Sequence, residues 1–389
     1  MAGTPVLILG GGLTALGVLR LLGRRGVPAF VWPPATDLVR HSRWYQAAPA
    51  APSTDGGLDA LLERVSLERA VLMPASDAWA VAIALRAPAS RQRFLASLPA
   101  VEVQRTLVDK RAFATLLASL GIPHPTTIPV VAAADLALVP DDVVSRGFLK
   151  PHDSQTFFAR YGVKAWRVAS REEAAQRLAM VAADGHPVLL QEYVPGPASE
   201  HYFVDGFADR ESRVRGTFAR RRLRMYPPDF GNSSCMVSIP LADVAEGVEA
   251  MERLVTHLRY RGIFSAEFKR DARDGRLKLL EVNARPWWYV EFAGRCGVDV
   301  VSMAYDDALE RPVLPSAGYT VGRELVFPSF DYHAVRHEGR TGPADLAAWA
   351  WRAVRAAQPV WCADDPGPAL AALGERLGRR LARLAGRGS

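Results

Sequence analysis

Lysine is nearly missing from this 389-residue chain. Of 48 basic residues only five are lysine, at 110, 150, 164, 269 and 278, and the other 43 are arginine. Where composition has turned basic positions into arginine, the surviving lysines are suspects for roles that need a compact ammonium on a flexible stem. Cysteine is scarce as well. Cys235, Cys296 and Cys362 are odd in number and widely spaced, which excludes a disulfide framework and offers no metal-binding pair, and fits a reducing cytoplasm. No run reaches the 18 or so uninterrupted apolar residues of a membrane span, so stable membrane insertion is not expected. Repeats and low-complexity segments are absent too. Hydrophobic residues at 49% and charged residues at 23% are those of a folded globular protein, and the length suggests two or three packed units.

The net charge of +7 comes largely from the last sixteen residues, where arginines 376, 379, 380, 383 and 387 outnumber Glu375 by four. Leu373, Leu377, Leu381 and Leu384 recur there at helical intervals, as in an amphipathic helix. The expectation is a docked helix with a solvated basic face rather than a nucleic-acid or lipid contact. No nucleic-acid partner is expected.

The run VLILGGGLTALGVL has no basic residue before it and reads as a strand, a glycine turn and a helix closing at Gly26. AFVW (29–32) and AVLMP (70–74) are further buried strands, and the alternation predicts a parallel α/β sheet over the first hundred residues. A helix follows over 108–121, then an apolar run ending in Lys150, a helix over 171–185 and a strand over 187–196. Two antiparallel strands are expected in 201–226, a helix over 242–260 and a hairpin over 262–286. Beyond about 310 the chain reads as mostly helical.

The hairpin carries the chemistry. Strand alternation sets Ser265, Glu267 and Lys269 on one face, and Leu279, Glu281 and Asn283 together on the second strand, with Leu280 and Val282 opposite. A three-residue loop, 273–275, with Gly275 left-handed, pairs Glu267 with Glu281 and Ser265 with Asn283. Two carboxylates and an amide oxygen on one sheet face are the hard ligands that magnesium takes. The otherwise apolar second strand places Glu281 near the interior. On the strand before YPPDFG, Arg222 and Arg224 share a face while Arg221 points away. Guanidinium forks suit a carboxylate or a transferring phosphate, and Arg224 is the favoured contact. Trp287, Trp288 and Tyr289 serve either as the wall of an acceptor pocket or as core.

DKRAFATLLASLGIPHP, FLKPHDS, LLQEYVPGPASEHYF and SAEFK…LKLLEVNARP stand in the order and spacing of the ATP-grasp superfamily, which the chain resembles over roughly 1–310. KPHDSQTFFARYGVK and the arginine-rich strand resemble the carboxylate-amine ligase branch that includes D-aspartate ligases. The resemblance implies an α/β ATP-grasp fold with an α+β core. It implies a Rossmann-like pre-ATP-grasp domain at 1–105, a nucleotide-binding core at 106–310 and a mostly helical extension at 311–389. By position, Lys110 and Lys150 match the lysines on ATP phosphates, and Gln191, Glu192 and the backbone of Tyr193 and Val194 match the adenine hinge. Glu200 matches the ribose-binding acid. Glu267, Glu281 and Asn283 match the magnesium ligands, for two ions, with manganese as the alternative metal, and Arg285 matches the arginine that steadies the transferred phosphoryl. The second phosphate loop departs from the family: HDSQTFFARYG holds one glycine, leaving Ser154, backbone amides and Lys164 as phosphate contacts.

The implied activity is an ADP-forming ligation of a small-molecule carboxylate to an amine through an acyl-phosphate, and the resemblance allows a homodimer. Two other readings stand beside it. GGGLTALG suits a nicotinamide-dependent oxidoreductase, although FVWPP lacks the acid expected after the second strand. A nucleotide-binding pseudoenzyme is the third.

Overall fold

The computed structural model describes residues 3–49, 57–137, 139–151, 154–163, 165–185, 187–228 and 230–385. The first apolar segments form four parallel strands, β1 (Val6–Leu9), β2 (Ala29–Trp32), β3 (Ala70–Pro74) and β4 (Phe94–Leu95), in the order β2-β1-β3-β4. β1 is buried at every residue, as an apolar run in a sheet covered on both faces must be. The second sheet holds β5 (Thr127–Val130), β6 (Gly147–Pro151), β7 (Trp166–Arg167) and β8 (Val188–Glu192), in the order β5-β8-β6-β7. The helix Arg171–Ala183 packs on it, capped by the Ser170 side chain, which accepts from the amide of Glu173.

The largest sheet has six strands: β9 (His201–Ala208), β10 (Val214–Tyr226), β11 (Asn232–Ser238), β12 (Gly262–Arg270), β13 (Leu277–Asn283) and β14 (Glu324–Val326). Their order is β13-β12-β9-β10-β11-β14. The strand β14 lies in the region read as mostly helical. Its Leu325 and Val326 are buried, and three short residues of strand carry too little period to announce themselves.

One continuous core joins the first and largest sheets. The helix Gly12–Arg24 packs its apolar face against the helices Val290–Cys296 and Val300–Ala308, together with Phe207, Phe218 and Ile263. Gly17 permits the close approach, since a Cβ there would meet Val290 Cγ1 at 3.0 Å. Arg20 is wholly buried in this seam. It donates to Glu291, to Asp365 and to the carbonyls of Pro359, Val360 and Asp365. Asp365 in turn accepts from Ser42 Oγ at 2.8 Å and from the amide of Arg43 at 2.8 Å.

The hairpin register is as the alternation requires, with one difference. Glu267 lies opposite Glu281 and Ser265 opposite Asn283. The turn is one residue longer than expected: the amide of Asp271 donates to the Arg276 carbonyl and that of Gly275 to the Asp271 carbonyl, leaving 272–275 as the loop. Gly275 has φ +72, as its left-handed position demands. The Asp271 side chain holds the loop by accepting from the amide of Arg273 and pairing with Arg273 and Lys278. The extra residue is returned as a bulge at Leu280, between the Glu267–Glu281 and Phe268–Leu279 pairs. Leu279 therefore joins the core with Val282, and Leu280 turns to the opposite face, the reverse of strict alternation.

All three cysteines are free and buried, and burial pushes the Cys235 thiol up to about 12. A thiol reagent at about pH 8 should therefore react with none of them rapidly in the folded protein and with all three in denaturant, since the thiolate is the reactive form. Rapid labelling of Cys235 in the folded state would contradict this packing.

Candidate active site

A cleft of about 270 Å³ opens between the second sheet and the largest sheet. β6 and β8 supply Phe148, Lys150, Gln191 and Glu192 to one wall; β12 and β13 supply Glu267, Lys269, Leu280 and Glu281 to the other. Lys110 enters from the first turn of the helix Lys110–Ser119, whose start is fixed by Asp109 accepting from the amides of Arg111 and Ala112. Its Nζ donates to the Pro151 carbonyl at 2.8 Å. Lys150 Nζ donates to Gln191 Oε1 at 3.2 Å, and Gln191 Nε2 donates to Thr127 Oγ1 at 2.9 Å, so the polar wall is a connected chain. Four of the five lysines are described; three of them, Lys110, Lys150 and Lys269, line this cleft, and Lys164 lies outside the described residues.

The residues expected at the adenine hinge, Gln191 to Val194, all line the cleft. Burial alone would raise the Glu192 pKa, but Arg273 and the amide of Thr126 hold it below the ordinary carboxylate range. The Tyr193 amide is spent on the Arg146 carbonyl. The Tyr193 ring lies 3.8 Å from the Arg167 guanidinium and 4.4 Å from Lys269 Nζ, an arrangement in which cations meet the aromatic face. Phe230 packs against Phe148 and Tyr193 at the edge of the cleft, and Val194 lines it.

Glu267 is the electrostatic centre. Its Oε1 takes hydrogen bonds from Arg222 Nη2 at 3.0 Å and from His201 Nδ1 at 2.7 Å. Burial opposes its charge, but Arg222 and the His201 bond hold its pKa well below the usual range. Burial, then the Arg222 charge, push His201 down to about 4, so at neutral pH the ring is neutral and its Nδ1 proton is the one donated to Glu267. Glu281 lies across the strand, exposed at the cleft mouth rather than interior, because it sits on an edge strand beside a bulge.

The donor chemistry suits a divalent cation: two opposed carboxylates offer hard oxygens, and magnesium commonly takes one or two carboxylates with phosphate oxygens completing its shell. Among the described residues there is no group of three or more His, Cys, Asp or Glu side chains set to hold a metal by itself. Asn283 is not in the cleft lining; its Oδ1 accepts from Arg285 at 3.1 Å.

Several expected residues lie elsewhere. Arg224 is turned out of the cleft by irregular pairing on both sides of it, between Arg222 and Arg224 and again before Met225. It forms a two-pronged pair with the fully buried Asp331, which also accepts from Ser234 and Trp349. Arg222, the weaker expectation, is the arginine in the cleft. Glu200 does not line it, and its carboxylate takes Arg221 at 2.8 Å and the Tyr202 hydroxyl at 3.1 Å. Arg285 is held by Asp77 of the first sheet's layer through two bonds of 2.8 Å. Ser154 opens the helix Ser154–Tyr161, and its side chain lies outside the described atoms. Trp287 and Tyr289 belong to the core, whereas Trp288 is exposed. His201 and Lys269 carried a readable signal: alternation puts Lys269 on the Glu267 face, and His201 follows the hinge motif at the start of the next strand.

At the glycine turn, Asp37 sits where an anion would bind. Its Oδ2 accepts from the amide of Gly12 at 2.7 Å, and a Cβ on Gly11 would meet that oxygen at 3.1 Å. The turn thus supplies its own carboxylate to the helix start.

No family model matches the chain. It is 21% identical over 233 residues to a D-aspartate ligase of Enterococcus faecium (strain Aus0004), a match covering 55% of this chain. The match spans about half, 53%, of that curated relative's length. Among solved structures, the N5-carboxyaminoimidazole synthetase of Staphylococcus aureus aligns with a TM-score of 0.61 at 13% identity, covering 88% of this chain and 87% of that one. An L-amino acid ligase of Bacillus licheniformis aligns with a TM-score of 0.59 at 14% identity, covering 80% and 75%. A biotin carboxylase of Campylobacter jejuni aligns at 0.61 and 17%, covering 83% and 74%. The chain has their fold, the ATP-grasp fold that its motifs resemble.

The two arginines should separate in urea unfolding. Arg224→Met strands the buried Asp331 carboxylate and should cost roughly 3–5 kcal/mol. Arg222→Met should cost less, since Glu267 keeps its His201 bond and faces the cleft. The reverse order would overturn the assignment of Arg224 to structure and Arg222 to the cleft.

Proposed function

We propose that the protein is an ATP-dependent, ADP-forming ligase that joins a small-molecule carboxylate to an amine. The observation that carries this reading is the cleft itself: Glu267 and Glu281 face each other on one wall, and Lys110 and Lys150 stand on the other. Carboxylates opposite ammonium groups suit a polyphosphate that brings its own divalent cation. The fold of the solved ligases and the likeness to D-aspartate ligase support it. Asp37 weighs against a nicotinamide site at the glycine turn, because the phosphate of such a cofactor would meet a carboxylate there.

In this reading the adenine lies near the Gln191–Val194 hinge, with Leu280 and the Phe148, Tyr193 and Phe230 rings around it. Lys110 and Lys150 neutralise phosphate oxygens, and Arg222 stands beside Glu267 toward the transferring group. Glu267 and Glu281, with Asn283 nearby, would hold a magnesium ion, which would supply charge neutralisation on the phosphates. His201 keeps the Glu267 carboxylate oriented by its Nδ1 proton. A substrate carboxylate oxygen attacks the γ-phosphorus, the bond to the ADP oxygen breaks, and an acyl-phosphate forms. The amine nitrogen then attacks the acyl carbon, phosphate leaves, and the nitrogen gives up a proton. Arg285 reaches the developing oxyanion by leaving Asp77. Catalysis of this kind is chiefly positioning and charge neutralisation.

Magnesium-ATP should raise the melting temperature, whereas NAD and NADP should not. A screen of amino-acid carboxylate and amine pairs should then release ADP in a pair-dependent way. Nucleotide binding without ADP release from any pair would favour the pseudoenzyme. Glu281→Gln, at an exposed position, should leave the melting temperature unchanged and lower ADP release roughly 10- to 100-fold; undiminished turnover would remove Glu281 from the metal site.

A further inference from the structure

Over residues 373–378 the helix Gly367–Ala385 is exposed rather than docked, contrary to the expectation from its sequence. Its first turn is pinned: Gly367 lies so close to the His41 carbonyl that a Cβ would collide with it, and the helix contacts the Leu38–His41 turn. Each of residues 373–378 is exposed, and Leu370, Leu373 and Leu377 are 59%, 55% and 51% exposed. These leucines recur at three- and four-residue spacing, and Leu381 and Leu384 continue the spacing in the sequence. Three leucines facing water over residues 370–377 cost free energy unless something covers them.

We propose that this helix is a reversible docking element for an anionic membrane surface. The charge argues for that occupant: arginines 376, 379, 380 and 383 against the single acid Glu375 make the helix strongly basic, so pairing with the same helix of a second copy would set like charges together. The helix holds no aromatic residue that would anchor it in a protein groove, whereas a lipid surface asks only for apolar area and complementary charge. No helix among the described residues is long and apolar enough to cross a membrane. The proposal is therefore adsorption along the interface, with leucines toward the acyl chains and arginines among the headgroups.

The test is co-sedimentation of the full chain with phosphatidylcholine vesicles, with and without phosphatidylserine. The full chain should bind the serine-containing vesicles roughly tenfold more strongly than the neutral ones, and added salt should release it. The double variant Leu373→Asp, Leu377→Asp should lose that binding while keeping its melting temperature, both sites being exposed. No binding to anionic vesicles, or equal binding by the variant, would overturn the proposal. A variant that instead shifts the molecule from dimer to monomer in sedimentation equilibrium would assign the stripe to a second copy. Retention on immobilised polyglutamate without vesicle binding would assign it to an acidic polypeptide.

Discussion

A single guanidinium with no solvent exposure holds three separate stretches of this chain in one place. Ions of that kind cost several kcal/mol each to remove from water, and the cost is met only when every donor finds an acceptor. Arg20 does so through Glu291, Asp365 and three carbonyls, so the helix Gly12–Arg24, the helix Val290–Cys296 and residues 359–365 are fixed relative to one another. Asp365 extends the tie to Ser42 and Arg43. The first sheet is thereby seated against the largest one, and the contact between Asp77 and Arg285 at the far edge follows from that seating.

Within this frame the cleft is a matter of strand geometry. The face of β12 that looks into it carries Glu267 and Lys269, and the facing wall carries Lys150 and Gln191. Two irregularities decide which side chains arrive. The disturbed pairing around Arg224 sends that arginine to Asp331 and keeps Arg222 beside Glu267; the bulge at Leu280 brings Leu280 and Glu281 to the same side. His201 and Arg222 then share one oxygen of Glu267, so the carboxylate stays charged in spite of its burial.

The parts legible in the sequence are those governed by period and turn chemistry. The parallel strands of the first sheet and the left-handed Gly275 follow from local pattern, whereas the pairing of Glu267 with Glu281 holds because a bulge that no local signal announces offsets a turn one residue longer than expected. Lysine scarcity pointed to Lys269 as well as to Lys110 and Lys150. What failed depended on a single inserted residue or a distant partner. Alternation alone gave Arg222 and Arg224 one face, and no local signal announces Asp331, more than a hundred positions away. The same holds for Glu200, whose partner Arg221 lies on a neighbouring strand, and for Asp37, which reaches back to the glycine turn from beyond the second strand. Leu370, Leu373 and Leu377 have a core-like spacing and yet stand exposed, because periodicity reports amphipathicity and not what meets the apolar face.

The Leu280 bulge separates two requirements that a regular hairpin would bind together. In an unbroken ladder, one residue added to the connecting turn would shift every later position and carry Glu281 to the opposite side of the sheet. Here the four-residue turn and the bulge offset each other, and Glu281 stays opposite Glu267. The connecting turn thereby has one residue of slack: a single deletion at 272–275 can be taken up by closing the bulge, while the pair of acids above it keeps its place.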